Sequence, residues 1–184
     1  RGFEERQGGT IPWEAYTPYE IRNIASYVYL GQKERAHKLL EWFMQYQRPR
    51  GWNHWAEVVW RDERSARFIG DMPHSWVGSD FINALRAMFV YEMDDDRTLV
   101  IGAGLKDAWV RQGLSVEGLP IHGGTLTYSV AFVSPSRVVV HIDGAFDSRE
   151  ISLLVPVNLV SQPLKAAMAN GLAMSPIDGF IKIA

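Results

Sequence analysis

Residues 125–132 read Thr-Leu-Thr-Tyr-Ser-Val-Ala-Phe, and this stretch decides the class of fold. Its large apolar side chains stand at every second position: Leu126, Tyr128, Val130 and Phe132. Successive side chains of a strand point to opposite faces of a sheet, so this period predicts a β-strand with one buried face. A helix would instead repeat its apolar residues every three or four positions.

Further short apolar runs surround this stretch. They cover residues 98–101, 114–116, 138–142 and 151–155. Turn-forming pairs separate several of them: Gly123-Gly124, Pro135-Ser136 and Asp143-Gly144. Short strands at this spacing are typical of an antiparallel β-sandwich, which we predict for residues 96–184. Within it, residues 164–174 are predicted to form a short helix or a loop, and residues 180–183 a closing strand.

Upstream of residue 96 the apolar period becomes helical. Residues 17–20, Thr-Pro-Tyr-Glu, predict a helix start in which the Thr17 hydroxyl caps the helix and Glu20 reaches back to the cap. The pattern that follows predicts one helix up to Gly31 and a second helix directly after it. A third helical pattern covers residues 75–91. The link between the first two helices is so short that we expect them to form a helical hairpin.

Aromatic residues are concentrated in the helical part of the chain. Of the 22 Phe, Trp and Tyr residues, 17 lie within residues 1–95. The acidic run Asp94-Asp95-Asp96 stands where the aromatic content and the period both change, and such runs usually mark a solvated turn. We therefore predict an α+β chain of two units, a helical region over residues 1–95 and a β-sandwich-like domain over residues 96–184.

Composition and charge exclude several functions. The chain has 184 residues, a formal net charge of −2 and a pI of about 6.2. It therefore lacks the excess of positive charge that would attract nucleic acid or an anionic membrane. It has no apolar run of about 18 residues that could span a bilayer. There is no cysteine, and the five histidines are scattered without metal-ligand spacing. We therefore expect no metal site and no cofactor.

Two tryptophan-rich strings lie between the second and third helical patterns. They are Gly51-Trp52-Asn53-His54-Trp55-Ala56-Glu57-Val58-Val59-Trp60 and Gly70-Asp71-Met72-Pro73-His74-Ser75-Trp76. Sugar rings present flat faces of C–H groups and rims of hydroxyls, so a site for them combines aromatic rings with carboxylates, amides and imidazoles. Taken together, the two strings carry these groups, and they form the predicted binding segment.

Each of these residues also has a purely structural interpretation. A tryptophan-rich loop can be a packed plug whose indole N–H groups bond to the backbone. Glu57 can pair with Arg61 or Arg64. His74 can bond to nearby backbone at the start of the third helix, and Asp71 can be a turn or capping residue.

The two strings resemble the C-terminal part of bacterial six-hairpin glycosidase-like proteins, as does Leu99-Val100-Ile101-Gly102-Ala103-Gly104 leading into Trp109. The resemblance covers roughly residues 8–130. Those proteins are similar to the rhamnosidase, phosphorylase and glucoamylase superfamily, which is built on an (α/α)6 barrel, or α/α toroid. The resemblance implies that the helices here are the end of an incomplete barrel and that a small antiparallel β-sandwich follows them.

The resemblance also implies roles for individual residues. Glu57 matches the position of a general base in inverting members. The positions that would line the sugar pocket are Trp52, Trp55, Asp71, His74 and Trp76. An inverting glycosidase also needs a protonated carboxyl about 6.5–9.5 Å from its base. Candidates within the chain are Glu14, Asp62, Glu63 and Asp71, but the resembling families place their acid in earlier hairpins.

These inferences predict the C-terminal fragment of a carbohydrate-active, glycoside hydrolase-like enzyme that supplies part of the sugar site. The start at Arg1 fits a fragment or a processed product, and without a general acid we expect the isolated chain to have no useful turnover. The alternative is a non-catalytic carbohydrate-binding module or a structural, interaction module. Expected partners are a carbohydrate and the rest of the parent barrel. Because three helices cannot close a barrel, we also expect self-association. The sequence indicates neither the sugar and its linkage nor a cellular location.

Overall fold

The structure is a computed structural model that describes residues 2–64, 67, 69–93, 97–147 and 151–183. It contains both helices and antiparallel strand pairs, so the predicted α+β class is confirmed. The chain divides into two compact units, Arg1–Arg86 and Ala87–Ala184. Among the described residues, no helix is long and apolar enough to cross a membrane.

The first unit is mainly helical. Its elements are α1 (Gly2–Gln7), β1 (Ala15–Tyr16), a 3₁₀ helix (Pro18–Arg22), α2 (Asn23–Tyr29), α3 (Lys33–Met44), β2 (Val59–Trp60) and the larger part of α4 (Ser75–Phe89). Helices α2 and α3 pack against each other and bury the apolar positions Ile24, Val28, Leu39 and Phe43. Gly31, with φ +69°, follows α2 in the left-handed conformation that the sequence predicts.

The first predicted helix begins where the sequence analysis places it, but the predicted capping contacts of Thr17 and Glu20 are not formed. Helical structure begins at Pro18, but as a 3₁₀ turn, and the Thr17 side chain makes no capping hydrogen bond. Glu20 does not reach back to the cap, because its carboxylate accepts two hydrogen bonds from the Arg6 guanidinium, at 2.8 and 2.9 Å. A charged, bidentate partner on α1 therefore replaces the expected local contact.

The second unit contains two sheets and a separate hairpin. Its elements are β3 (Val90–Glu92), β4 (Thr98–Ile101), α5 (Asp107–Gln112), β5 (Leu114–Ile121), β6 (Gly124–Ser134), β7 (Arg137–Ala145), β8 (Ser152–Pro156), β9 (Ala167–Ala169), β10 (Leu172–Met174) and β11 (Phe180–Ile183). One sheet has the order β11-β8-β4-β3 and the other β5-β6-β7. Both contribute to one hydrophobic core, β6 through Leu126, Tyr128 and Val130.

Two details of this unit differ from the sequence prediction. Strand β8 pairs with β4 in parallel, whereas the other strand pairs of the described sheets are antiparallel as expected. Residues 164–174 are neither a helix nor a plain loop, because β9 and β10 form a hairpin there. Its two-residue turn places Asn170 (φ +50°) and Gly171 (φ +82°) in the left-handed region, the geometry that an Asn-Gly pair favours.

The two compact units are divided between residues 86 and 87, whereas the sequence prediction places the boundary near residue 95. The difference arises because β3 follows α4 at once and pairs with β4, with Val90 opposite Ile101. The acidic run Asp94–Asp96 lies outside the described residues. Nothing in the described helices identifies an incomplete (α/α)6 barrel, so that part of the fold prediction remains a proposal.

Candidate functional site

Backbone hydrogen bonds join the two tryptophan-rich strings. The Glu57 amide donates to the Asp71 carbonyl at 3.0 Å, and the His74 amide donates to the Trp55 carbonyl at 2.7 Å. A third bond, from the Val58 amide to the Ile69 carbonyl, measures 2.9 Å. The strings are thus held side by side, and the residues predicted for one site come from both.

The Glu57 carboxylate occupies a place that only a glycine opposite it permits. Its Oε2 accepts a hydrogen bond from the Asp71 amide at 3.1 Å. A Cβ at Gly70, where φ is +66°, would lie 2.2 Å from the same oxygen. The alternative in which Glu57 pairs with Arg61 or Arg64 is not found in the described part of the chain. The carboxylate is instead held by the backbone of the second string.

His74 is bonded to a distant side chain rather than to nearby backbone. Its Nε2 lies 2.7 Å from the Tyr19 hydroxyl, and its side chain is 11% exposed. The other ring nitrogen, Nδ1, lies 3.9 Å from Asp71 Oδ2. Because Nε2 is engaged by Tyr19, Nδ1 is the nitrogen that faces the carboxylate.

The charges of the cluster affect the pKa of the Tyr19 hydroxyl. Burial, together with the negative charge of Glu57, raises the pKa of the Tyr19 hydroxyl above its usual range, and Arg22 acts in the opposite direction. Asp80 and Asp71 add smaller contributions that also raise this pKa. Tyr19 therefore remains protonated at neutral pH and can share a proton with His74.

Glu57, Asp71 and His74 form a cluster with the chemistry of a cation site. Each offers one potential ligand atom, and these atoms lie within 4.8 Å of one another. The sequence-based prediction of no metal site rests on histidines that have no metal-ligand spacing among themselves, and it does not anticipate that folding brings Glu57 close to Asp71 and His74. Among the described residues, these three side chains are the group whose ligand atoms lie close enough together to hold a metal ion.

Three tryptophans of the two strings, Trp52, Trp55 and Trp76, have different environments. Trp76 is 69% exposed, and its ring lies 6.2 Å from that of His74 and 6.3 Å from that of Tyr19. Trp52 is 68% exposed and contacts the His54 ring at 5.8 Å. Trp55 does not line a surface, since it is buried and packs against Phe81. The structure thus brings Trp76 to the cluster, whereas the ring that Trp52 contacts is that of His54.

Two buried nitrogens in the first string lack a hydrogen-bond partner among the described residues. They are the indole Nε1 of Trp55 and the Nε2 of His54. The packed-plug alternative requires the indole N–H groups to bond to the backbone, and Trp55 does not meet that requirement. A buried donor without a partner costs about 1–3 kcal/mol, so such groups in a native structure call for an explanation.

Sequence reasoning missed a cleft whose lining includes none of the cluster residues Glu57, Asp71 and His74. It has a volume of about 480 Å³ and is lined by Trp13, Glu14, Trp60, Arg61, Asp62 and Arg67. It forms because β1 pairs with β2, which places Ala15 opposite Trp60. Strands of two residues carry no detectable period, so the sequence holds no signal for this pairing. Two guanidinium groups cover its aromatic rings, Arg61 over Trp13 at 5.9 Å and Arg67 over Trp60 at 5.1 Å.

The other carboxylates considered as a general acid are engaged elsewhere. Glu14 forms an ion pair with Arg67 in the cleft that both residues line. Glu63 lies 2.5 Å from the Arg50 guanidinium and 3.6 Å from that of Arg48. Asp62 accepts a hydrogen bond from the Arg64 amide. None of these contacts joins the three carboxylates to Glu57.

Comparison of the chain with protein-family models, with curated proteins and with solved structures found no match.

Proposed function

We propose that this chain forms one wall of a carbohydrate-binding site, with the sugar stacked on Trp76 beside the polar cluster of Glu57, Asp71 and His74. One observation carries the proposal: a tryptophan ring that is 69% exposed stands next to two carboxylates and an imidazole. An exposed aromatic face supplies stacking for sugar C–H groups, and the cluster supplies acceptors for hydroxyls. Trp52, on the other string, is a second exposed aromatic ring.

Within this proposal Glu57 acts as the base of an inverting glycoside hydrolase. The Asp71 amide orients its carboxylate, which, within the part of the chain that the structure describes, has no guanidinium partner that would compete for a water molecule. Asp71 cannot be the matching acid, because the cluster's ligand atoms lie within 4.8 Å whereas inverting enzymes separate their carboxyl groups by about 6.5–9.5 Å. The acid would come from elsewhere, consistent with the proposal that these helices complete an (α/α)6 barrel in a longer parent polypeptide.

Sugar binding is tested directly by titrating the chain with simple neutral sugars while its tryptophan fluorescence is recorded. We expect saturable quenching that Trp76→Ala weakens at least about tenfold, because one stacking platform is lost. The matched control is Tyr29→Ala, which removes an aromatic ring that is 55% exposed on α2. Saturable binding that Trp76→Ala leaves unchanged would overturn this placement of the sugar.

The catalytic part of the proposal needs a separate test. In a longer parent polypeptide that hydrolyses a glycoside, we expect Glu57→Gln to lower kcat by at least about 100-fold while leaving sugar affinity within a few-fold, since a general base contributes about 10²–10⁴-fold. Glu14→Gln, in the cleft lined by Trp13 and Trp60, is the matched control. Unchanged hydrolysis in Glu57→Gln would show that Glu57 is not the base.

A specific observation also favours the alternative, an interaction surface. Besides Trp76, the helices of the first unit or their ends expose the large apolar side chains of Tyr29, Leu30, Met44 and Ile82. Such side chains mark a protein contact where they form one patch. Concentration-dependent sizing tests it: we expect self-association, and a strictly monomeric chain at high concentration would contradict it.

A further inference from the structure

We propose that Glu57, Asp71 and His74 bind a divalent first-row transition-metal ion, with Nδ1 of His74 and one oxygen of each carboxylate as its ligands. This site would be present whether or not the ligand stacked on Trp76 is a sugar. The proposal goes beyond sugar binding because it concerns the affinity of the cluster for a cation. In the hydrolysis proposed for a longer parent polypeptide, Glu57 acts as the base only when it is free of that cation.

The donor set selects the class of cation. One imidazole nitrogen and two carboxylate oxygens are typical ligands of Zn²⁺ and related transition-metal ions, and three protein ligands leave a position open for water or another ligand. Ca²⁺ and Mg²⁺ favour sites made of oxygen alone. The imidazole therefore points to a transition-metal ion, with Zn²⁺ as the first probe.

The distances between the three ligand atoms fit a bound metal ion after a small movement of the Asp71 side chain. Ligands bound at about 2.1 Å lie roughly 3.0–3.4 Å apart when adjacent and about 4.2 Å apart when opposite. Nδ1 of His74 and Oδ2 of Asp71 are separated by 3.9 Å, and all three ligand atoms lie within 4.8 Å. The Asp71 side chain is 84% exposed, so it can rotate towards the other two without disturbing packing.

The surroundings hold the other two ligands in place. Tyr19 engages Nε2 of His74 at 2.7 Å, which leaves Nδ1, the nitrogen 3.9 Å from Asp71 Oδ2, as the ligand atom. Metal-binding histidines almost always bond through their second nitrogen in this way, and that partner fixes the ring. The Asp71 amide orients Glu57 in the same manner, through its 3.1 Å hydrogen bond to Oε2.

Charge provides an independent argument. Within the described residues, neither Glu57 nor Asp71 forms an ion pair with a lysine or an arginine. The carboxylates of Glu14, Glu20, Glu63 and Asp80, by contrast, each have a guanidinium partner. Two like charges held close together are unfavourable unless a cation or a proton neutralises them. A bound cation would compensate both carboxylates at once.

Isothermal titration calorimetry of the chelator-treated chain with Zn²⁺ tests the proposal. We expect one site per chain, and we expect Co²⁺ at the same site to give a visible absorption band. His74→Ala should weaken Zn²⁺ binding by at least about 100-fold. Asp71→Asn, at an exposed position where folding is not at risk, should weaken it about 10–100-fold, and Tyr19→Phe by about tenfold through loss of the partner of Nε2.

His141→Ala is the control, because it removes an exposed histidine of β7. If His141→Ala lowers the affinity while Asp71→Asn does not, the metal binds an adventitious surface histidine and the proposal is wrong. The absence of any Zn²⁺ heat at millimolar metal would also overturn it. Sugar titrations read by fluorescence in the presence of chelator report on the proposed function separately, so either proposal can fail while the other stands.

Discussion

The Tyr19 hydroxyl and His74 Nε2 lie 2.7 Å apart although 55 positions separate the two residues in the chain. This bond links the 3₁₀ helix that contains Tyr19 to the residue just before α4. It also fixes which nitrogen of His74 faces Asp71. The orientation of the candidate site therefore depends on a residue outside both tryptophan-rich strings.

Glu57→Gln is expected to lower the pKa of Tyr19. The negative charge of Glu57 raises this pKa because it disfavours the phenolate, so a neutral amide moves the pKa back towards its usual value. The remaining elevation, caused by burial, should persist. NMR titration of chain labelled at tyrosine Cζ measures the change, with Glu14→Gln as the control. An unchanged Tyr19 pKa in Glu57→Gln would contradict the described proximity.

Gly70→Ala is expected to destabilise the chain more than Gly51→Ala does. Both glycines have positive φ, +66° and +78°, so both substitutions carry the cost of a left-handed alanine, about 1 kcal/mol. Only at Gly70 would the added Cβ also meet the Glu57 carboxylate, whereas at Gly51 it meets nothing within 4 Å. Urea unfolding should show an extra loss of about 1–3 kcal/mol for Gly70→Ala. Equal losses would mean that Glu57 is not packed on Gly70.

The second unit is expected to lose stability at alkaline pH through Tyr128. Burial raises the pKa of this hydroxyl far above its usual value, and it donates a 2.9 Å hydrogen bond to the Phe89 carbonyl. The stabilisation is complete below the unfolded pKa of about 10 and declines as pH rises above it, by roughly 1.4 kcal/mol per pH unit, because only the unfolded tyrosine ionises.

Comparison with Tyr128→Phe isolates this contribution. At neutral pH the variant should be less stable by about 1 kcal/mol, since it lacks the hydrogen bond. Above pH 10 this difference should shrink and then reverse in sign, because phenylalanine has no proton to release. Urea unfolding of both proteins from pH 8 to pH 11 measures the difference, and a constant difference would disprove the assignment.

A double-mutant cycle should show coupling between Arg6 and Glu20. Their two hydrogen bonds, at 2.8 and 2.9 Å, join α1 to the 3₁₀ helix, and the pair is partly buried. We expect a coupling energy of about 0.5–1 kcal/mol. A cycle between Thr17 and Glu20 should give a value near zero, because Thr17 makes no side-chain capping bond. Coupling between Thr17 and Glu20, with none between Arg6 and Glu20, would instead support the helix cap that the sequence predicts at Thr17.

Local patterns predicted much of the fold. The alternation from Leu126 to Phe132 corresponds to β6, and three of its four apolar positions are fully buried. The parallel pairing of β4 with β8 could not be predicted, because strands distant in sequence leave no local trace of their partner. The β9–β10 hairpin, by contrast, does carry a signal that was overlooked, the pair Asn170-Gly171.

Sequence reasoning named three residues of the candidate site but not their arrangement. Residue types and the stated resemblance singled out Glu57, Asp71 and His74. Their convergence depends on hydrogen bonds between the two strings, and the part played by Tyr19 depends on a contact across 55 positions. Residue type also does not separate Trp55, which is buried, from Trp52, which is exposed, since three-dimensional packing decides that difference.

The position of β8 has a consequence for how the second unit forms during synthesis. This strand lies between β4 and β11, yet it follows β5, β6 and β7 in the chain. While a ribosome makes the protein from its amino end, one edge of β4 has no partner until residues 152–156 emerge. A nascent chain arrested before that point would present the backbone groups of an apolar strand to other molecules, the condition under which chaperone capture and aggregation compete with folding.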